Sequence, residues 1–378
     1  MSHETMPALQ RSATIRVPKA QAFVDWLLQH WREEGVHVTQ PQPGHLHLAL
    51  ADVGQVELVL ASSRQVDCRL QPVSPRMGDV LQLSLAEHLA EFAEEAGWPE
   101  AGWSIHWAGA SGEAARSAAQ LQVMQVVAAT ALTPRMRRLR LQGPGVVALQ
   151  GGLHVRLLLP GADAGAGAGR DPVWPVVQTD GRLQWPAGQP RWPRRTYTVR
   201  TFDVDHHWIE VDALLHAESA AQGDAPGTRW AQQAVVGSPV GVLSPAGGLL
   251  PQAGRCVLVA DACALPAAAR IVQALPHGAA AQVLLWVADA AERAAWGATG
   301  APAQLTWLEG GLPGASQLEI AQVLQWLQQQ FADVHHPARS GTVLWVAGGL
   351  PLTQAVRRWV AGQPAMAGVR SLIHTYWR

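Results

Sequence analysis

The pattern of apolar residues changes character near Cys256, and that change limits the folds open to this 378-residue chain. Before it, from Leu121 to about Pro251, short alternating runs are separated by turn residues. They fall at Gln122 to Ala129, Arg137 to Gln142, His154 to Pro160, Arg195 to Phe202, Trp208 to Leu215 and Pro239 to Ser244. Strands this short and this evenly interrupted predict a small antiparallel barrel. After it, strand-like and helix-like runs alternate: Cys256 to Ala260, Pro266 to Leu275, Gln282 to Ala288, Gln304 to Leu308, Ser316 to Gln330, Thr342 to Ala347, Pro351 to Val360 and Val369 to Tyr376. Such alternation predicts βαβ units and a parallel sheet.

The first hundred residues follow a third pattern. Residues 13 to 17 alternate as a strand. Pro18 opens a helical run in which Phe23, Trp26, Leu27, His30 and Trp31 share a face until Gly35. Alternating runs at Val36 to Thr39, Leu46 to Leu50, Gln55 to Leu60 and Gln65 to Leu70 predict an antiparallel meander. A helix over roughly 78 to 96 closes the block, with Leu81, Leu85, Leu89 and Phe92 on its buried side. The expected organisation is therefore a small α+β domain over 1–107, an Ala/Gly/Ser-rich linker over 108–120, a β-barrel over 121–252 and an α/β domain over 253–378. Inside the barrel, Gly161 to Gly169 and the Pro- and Trp-rich stretch up to Pro193 read as one long loop.

Composition narrows the partners. With 28 basic against 29 acidic residues, the chain lacks the charge excess of a polyanion binder, so nucleic acid is not expected. Three scattered cysteines, Cys68, Cys256 and Cys263, suit neither a disulfide framework nor a zinc site and fit a reducing compartment, so the expected location is the cytoplasm. The N-terminal residues lack the pattern of an export signal, and no run reaches transmembrane length, so membrane insertion is not expected. His30 and His88 read as packed or solvated side chains. His206-His207 and His335-His336 read as loop histidines, so neither a metal site nor a proton-transfer residue is expected.

The chemistry concentrates in Arg195-Thr196-Tyr197-Thr198-Val199-Arg200. Residues two apart on a strand share a face, so Arg195 and Tyr197 point the same way. A guanidinium beside an aromatic plane suits a flavin dinucleotide, the cation for the pyrophosphate and the ring for the isoalloxazine. Residues after Tyr197 can offer backbone or hydroxyl groups to the flavin's polar edge. An edge strand with solvated arginines would read the same in isolation. A second element follows: a strand ending at His216, then Pro226-Gly227-Thr228-Arg229-Trp230-Ala231 opening a helix, with Thr228 as a candidate N-cap. The free amides of a helix N-terminus seat a phosphate.

Residues from about 121 to 378 resemble the siderophore-interacting protein family of FAD-dependent ferric-siderophore reductases, which are ferredoxin-reductase-like in architecture. The resemblance rests on Arg195 to Arg200, the strand ending at His216, Arg229-Trp230-Ala231, Asp261-Ala262-Cys263-Ala264-Leu265-Pro266-Ala267, Trp345-Val346-Ala347-Gly348 and Tyr376-Trp377-Arg378. It implies FAD contacts at Arg195, Tyr197, Thr198, Val199, His216, Thr228, Trp230 and Ala231. Residues 1–107 resemble a small bacterial domain of unknown function often fused to such proteins, on His30-Trp31 and the run from Ala86 to Ala93.

Departures from the family pattern fall where substrate and donor would meet the flavin. The usual Gly-Asp-Glu-Thr-Ala-Leu-Pro-Ala is here Ala260 to Ala267, without the glutamate and the threonine. Gly349 replaces a glutamate, and Ala246 replaces an arginine. Arg156 and Arg378 remain candidates for an anionic substrate, and Asp261, Cys263 and Gly348 mark the donor side. The implied activity is reduction of a ferric siderophore or other ferric chelate, with NAD(P)H or reduced ferredoxin as electron donor and no catalytic acid, base or nucleophile. Two other readings stay open: a different FAD-dependent NAD(P)H oxidoreductase, and a non-catalytic binder of flavin or iron chelate. No Gly-x-Gly-x-x-Gly fingerprint identifies a nicotinamide.

Overall fold

The computed structural model describes residues 9–33, 36, 38–50, 53–99, 102–108, 120–149, 152–161, 172–178, 180–189, 191–215, 225–244, 250–251, 253–297, 303–310, 317–332, 341–366 and 368–377. The chain divides into two compact units. One comprises Met1–Leu121, Val173–Arg191 and Leu243–Pro245, and the other Gln122–Pro172, Trp192–Val242 and Ala246–Arg378.

In the first unit β1 (Arg11–Arg16), β2 (Val38–Gln42), β3 (His45–Leu50), β4 (Gly54–Ser62), β5 (Gln65–Pro72) and β6 (Ser104–Trp107) form one sheet in the order β2-β3-β4-β5-β1-β6. The meander pairs β2 with β3, β3 with β4 and β4 with β5, each antiparallel. Helices α1 (Ala20–Glu33) and α2 (Pro75–Glu95) complete the unit. Alternation sends Leu46, Leu48, Leu58 and Leu70 to the core, where they meet Ile15, Phe23, Leu27 and Leu89. The helix expected from about 78 begins at Pro75. Ser74 caps it, its hydroxyl accepting from the Met77 amide at 3.3 Å, and Pro75 stands where no N–H is needed.

The stretch expected as a loop up to Pro193 contains a small hairpin, β10 (Val176–Val177) with β11 (Leu183–Gln184). It belongs to the first unit, where the Arg182 guanidinium lies 4.7 Å over the Trp103 ring and donates to the Trp103 carbonyl at 3.2 Å. Residues 109–119 and 162–170 lie outside the described residues, as do His335 and His336.

The second unit opens with most of the barrel, all but the outer two residues of β7 and of β14. Its strands are β7 (Gln120–Ala131), β8 (Met136–Gln142), β9 (His154–Leu158), β12 (Arg194–Asp203), β13 (Trp208–Leu214) and β14 (Pro239–Ser244), closed in the order β12-β13-β8-β7-β14-β9. A short helix α3 (Val146–Leu149) lies between β8 and β9, and α4 (Pro226–Gln233) between β13 and β14. Arginines on β8 face acids directly across on β13. Arg138 grips Asp212 with two bonds of 2.7 and 2.8 Å, and Arg140 bonds Glu210 at 2.7 Å. His206 sits in the β12–β13 turn and meets Asp203 at 2.8 Å, so it has a carboxylate partner that the sequence did not suggest.

The rest of this unit is a five-stranded parallel sheet. It comprises β15 (Arg255–Asp261), β16 (Ala280–Val287), β17 (Ala303–Glu309), β18 (Thr342–Gly349) and β19 (Arg370–Trp377), ordered β17-β16-β15-β18-β19. Helices α5 (Leu265–Ala274), α6 (Gln317–Gln330) and α7 (Leu350–Gly362) connect the strands. Every residue of β18 is buried, as a strand covered on both faces requires. No helix among the described residues is long and apolar enough to cross a membrane.

One buried cation joins the sheet's first helix to the barrel. Arg270 of α5 is 5% exposed, and its Nη1 donates to the carbonyls of Val199 on β12 and Leu153 before β9, at 2.6 and 3.4 Å. Replacing it by leucine takes this donor from the Val199 carbonyl and leaves Leu153 with the Val199 N–H, so Arg270→Leu is expected to cost about 1–3 kcal/mol, read as a lower urea midpoint. A midpoint within error of the parent would show that neither bond contributes.

Candidate functional site

Strand β12 supplies the site because it is paired on both sides. Arg195, Thr196, Tyr197 and Thr198 lie opposite Leu157, Arg156, Val155 and His154 of β9, and Val199 lies opposite Val211 of β13. Directly paired side chains share a face. Arg195, Tyr197 and Val199 therefore stand on one face, while Thr196 and Thr198 stand on the other with Arg156 and His154. Thus Arg156 shares a face with Thr198 and not with Arg195 and Tyr197. A bulge between Val199 and Thr201 then changes the register.

On the first face, α4 packs against the strand. Gly227 is a close approach: a Cβ built there would stand 2.9 Å from the Tyr197 hydroxyl and 3.6 Å from Arg195 Cγ. Trp230 meets the Tyr197 ring at 6.1 Å between centroids, and Trp230 and Ala231 are buried in the barrel core, where they seat the helix. The expected cap at Thr228 is not the observed one. The helix starts at Pro226, with Ala225 at the cap position and no side chain bonded there, and Thr228 is buried in the first turn. Proline fixes the backbone angle of the first helical position, which moves the start three residues earlier. Its first-turn amides are thus left without a side-chain cap, the condition in which a helix end receives an anion.

The far end of α4 is fixed by a residue that sequence reading missed. Arg137 of β8 donates to the carbonyls of Ala231, Gln232 and Ala234 at 2.5, 2.6 and 3.0 Å. These are the orphan acceptors at the helix's C-terminal end, where a cation also complements the dipole. The basic cluster of β8 was visible in the sequence, but its partner lies more than ninety residues downstream.

Both tyrosines of the chain belong to the site. Tyr376 on β19 is hydrogen-bonded to His154 Nε2 at 2.7 Å and to the Thr198 side chain. Burial raises the phenol pKa of Tyr376 and of Tyr197, with the nearby Cys263 adding in the same direction and Arg195 opposing at Tyr197. Burial likewise holds the Cys263 thiol well above its ordinary range, with Asp261 adding to it. All three groups are neutral at physiological pH. Val199 turns into the barrel core, and its backbone is already used, the N–H donating to Leu153 at 2.9 Å and the carbonyl accepting from Arg270. Arg195 is exposed and donates to its neighbour's carbonyl at 2.8 Å. His216, Ala246 and Arg378 lie outside the described residues.

Asp261, Cys263 and Gly348 are brought together at the C-terminal ends of β15 and β18. Asp261 is 1% exposed and accepts from the Ala264 amide at 3.1 Å, the Gly349 amide at 3.0 Å and the Trp377 indole N–H at 2.7 Å. A Cβ on Gly348 would stand 2.8 Å from its carboxylate. Burial nevertheless pushes the Asp261 carboxyl up to about 6, against the hydrogen bonds that favour its charged form.

Residues 125–249 match the family described as the siderophore-interacting FAD-binding domain, and residues 253–378 match the siderophore-interacting protein family. The chain is similar to a ferric vibriobactin reductase of Vibrio cholerae, 29% identical over 142 residues, which are 37% of this chain and 48% of that protein. An uncharacterized protein of Mycobacterium tuberculosis is 31% identical over 174 residues, 44% of this chain and 58% of that one. The chain thus spans about half the length of the curated relatives it matches. A siderophore utilization protein from T. fusca is 32% identical with a TM-score of 0.54, covering 69% of this chain and 93% of that one. A siderophore-interacting protein from Aeromonas hydrophila, at 23% identity and a TM-score of 0.50 over 68% and 92% of the two chains, shares the fold.

The raised Asp261 pKa has a signed consequence for stability. A carboxyl whose folded pKa exceeds its unfolded value stabilises the fold below about 3.8, and that contribution is lost as pH rises through about 6. At about 1.4 kcal/mol per pH unit, the loss is on the order of 3 kcal/mol. The stability difference between the parent and Asp261→Asn, from urea unfolding at pH 4 to 8, should change across that window and level off above it. A flat difference would rule out a raised pKa.

Proposed function

The chain belongs to the siderophore-interacting protein family, and we propose that it is a FAD-dependent reductase of ferric siderophores or other ferric chelates, releasing iron as Fe(II) in the cytoplasm. The observation that carries this reading is the meeting of three parts of a dinucleotide cradle at one place. An exposed guanidinium on Arg195, the Tyr197 ring beside it, and the first turn of α4, free of a side-chain cap, converge around Gly227. The reductase named among the relatives, the ferric vibriobactin enzyme, supports the choice of substrate class.

The residues present fit FAD. Gly227 has no side chain to fill the space between the helix and Tyr197. In this proposal Arg195 and the first turn of α4, with Thr228, hold the pyrophosphate. Tyr197 lies along the ring system, and Thr198 offers its hydroxyl to the polar edge. Trp230, Ala231 and Arg137 keep α4 in place for that contact. Val199 supports the strand through its two backbone bonds.

When bound, FAD supplies a store of two electrons that ferric ions take one at a time. The chain's own part is to bind, orient and leave the chemistry unhindered. Tyr197, Tyr376 and Cys263 are held neutral, so none of them competes as base or nucleophile. Exposed Arg194, Arg195 and Arg229 give this end of the barrel a positive field that attracts an anionic chelate. Reduction lowers the iron's charge and weakens the hold of hard oxygen donors, so the product is released without a side-chain acid. Electrons enter from NAD(P)H or from reduced ferredoxin.

The protein loaded with FAD should show a flavin spectrum, be bleached by dithionite, and recover its colour anaerobically on adding two equivalents of a ferric chelate per flavin. Arg195→Ala should weaken FAD binding about 10- to 100-fold by fluorescence quenching, the cost of a lost charge-assisted bond. A chain that takes up no flavin from excess FAD refutes the proposal.

A further inference from the structure

Chain order and spatial order part company at one place in the parallel sheet. From β15 the chain runs to β16 and β17 on one side, then returns to β18 and β19 on the other. The crevice beyond the C-terminal ends of β15 and β18 is therefore the switch point, where open α/β sheets receive their ligands. Here the crevice is filled by the chain's own side chains. Asp261, the last residue of β15, bonds the amides of Ala264 and Gly349, which are the N-cap residues of α5 and α7. One resident carboxylate thus takes the amides at which both helix ends would receive a phosphate.

The remaining space is taken by an indole. Trp377 donates to Asp261 at 2.7 Å, and a Cβ on Gly349 would lie 2.5 Å from Trp377 Cζ2. The ring therefore lies directly on the turn from β18 into α7. On the other side of β15, the carboxylates at the ends of the neighbouring strands are already committed. Asp289, just beyond β16, caps its own turn by accepting from the Ala291 amide at 2.9 Å. Glu309, ending β17, pairs with Arg293. A dianionic pyrophosphate entering here would meet carboxylates on amides it needs and would have to displace an aromatic ring.

We propose that Trp377, latched on Asp261, determines which donor can reduce the protein, by closing the switch-point crevice to nicotinamide dinucleotides in favour of a reduced electron-carrier protein. The inference rests on the reductase reading above. A nicotinamide delivers two electrons as a hydride, with one further proton from water, and must lie beside the flavin to do so. A one-electron carrier delivers the same two electrons in two encounters, with two protons from water, and needs no nucleotide pocket. The crevice as built serves the second route.

The test uses the full chain loaded with FAD. Binding of NADH, NADPH and their oxidised forms is measured by calorimetry, and anaerobic bleaching by NADH, NADPH and a reduced [2Fe–2S] ferredoxin by stopped flow. The parent should bind the nucleotides only at millimolar concentration and be bleached faster by ferredoxin. Trp377→Ala should tighten nucleotide binding and speed bleaching by NAD(P)H by about tenfold or more. Trp377→Phe, which keeps a ring in the crevice, should not. Gly349→Ala, whose new methyl displaces the indole, gives a second opened variant should Trp377→Ala fold poorly by circular dichroism. Micromolar nucleotide binding by the parent, bleaching by NAD(P)H as fast as by ferredoxin, or no gain in the opened variants overturns the inference. Failure of the reductase reading is seen separately, as dithionite-reduced protein that a ferric chelate does not reoxidise.

Discussion

The guanidinium of Arg270 lies between two folding patterns and makes them one structure. It projects from α5, the first helix of the parallel sheet, and donates to the carbonyls of Val199 and Leu153, which belong to the barrel. Val199 itself donates to Leu153, so the three residues form a closed set of backbone and side-chain bonds at the bulge of β12. A bulge leaves groups that the sheet ladder does not pair, and a buried carbonyl without a donor is costly. Nearby Arg200 works the same seam, donating to Gln273 and to the Trp296 carbonyl at 2.6 and 3.2 Å. The strand that carries Arg195 and Tyr197 is therefore registered against the helix that begins beside Asp261 and Cys263.

That registration explains the electrostatics of the site. A guanidinium keeps its charge at any physiological pH, and the exposed Arg195 stands at the edge of the group. Behind it the aromatic and thiol groups are desolvated and held neutral. Asp261 is the exception, a carboxyl poised near 6 by burial and tempered by four donors, the Trp377 indole and the backbone of Ala264, Gly349 and Cys263. His374, on the same strand as Tyr376, is pushed down to about 4 by burial and by Arg357, so it too is neutral. Apart from Asp261, these groups are held in one protonation state, which suits a prosthetic group that brings its own chemistry.

Local patterns in the sequence carried most of the architecture because each strand alternates and each helix keeps its period. The barrel strands and the βαβ order follow from runs that need no knowledge of their partners. The same reasoning placed Arg195 and Tyr197 on one face, since two residues on one strand fix that relation. It could not place what lies across the chain. Arg137 and Ala231, His154 and Tyr376, and Asp261 and Trp377 are each separated by more than ninety residues, and nothing local announces their contact. The hairpin in the stretch before Pro193 was hidden for a different reason. Two-residue strands have no period to read, and theirs is fixed by the Arg182 stack on Trp103. At α4 two local signals competed, and proline at the first helical position prevailed over threonine as a cap.

The switch point shows how little of a parallel sheet's chemistry is decided by its backbone. Two helices end their approach there with amides pointing at the crevice, an arrangement that any anion can use. A carboxylate tethered at the end of β15 reaches those amides with no loss of translational freedom, whereas a free phosphate must overcome that cost and the carboxylate's own charge as well. Once Asp261 occupies them, its remaining lone pairs seek a donor, and the Trp377 indole N–H supplies one at 2.7 Å. The indole fits only because Gly348 and Gly349 leave room, each standing where a Cβ would strike Asp261 or Trp377. Two glycines, one acid and one ring thus form a single coupled unit. Changing any one of them changes what the other three can hold, while the strands and helices around them need not move.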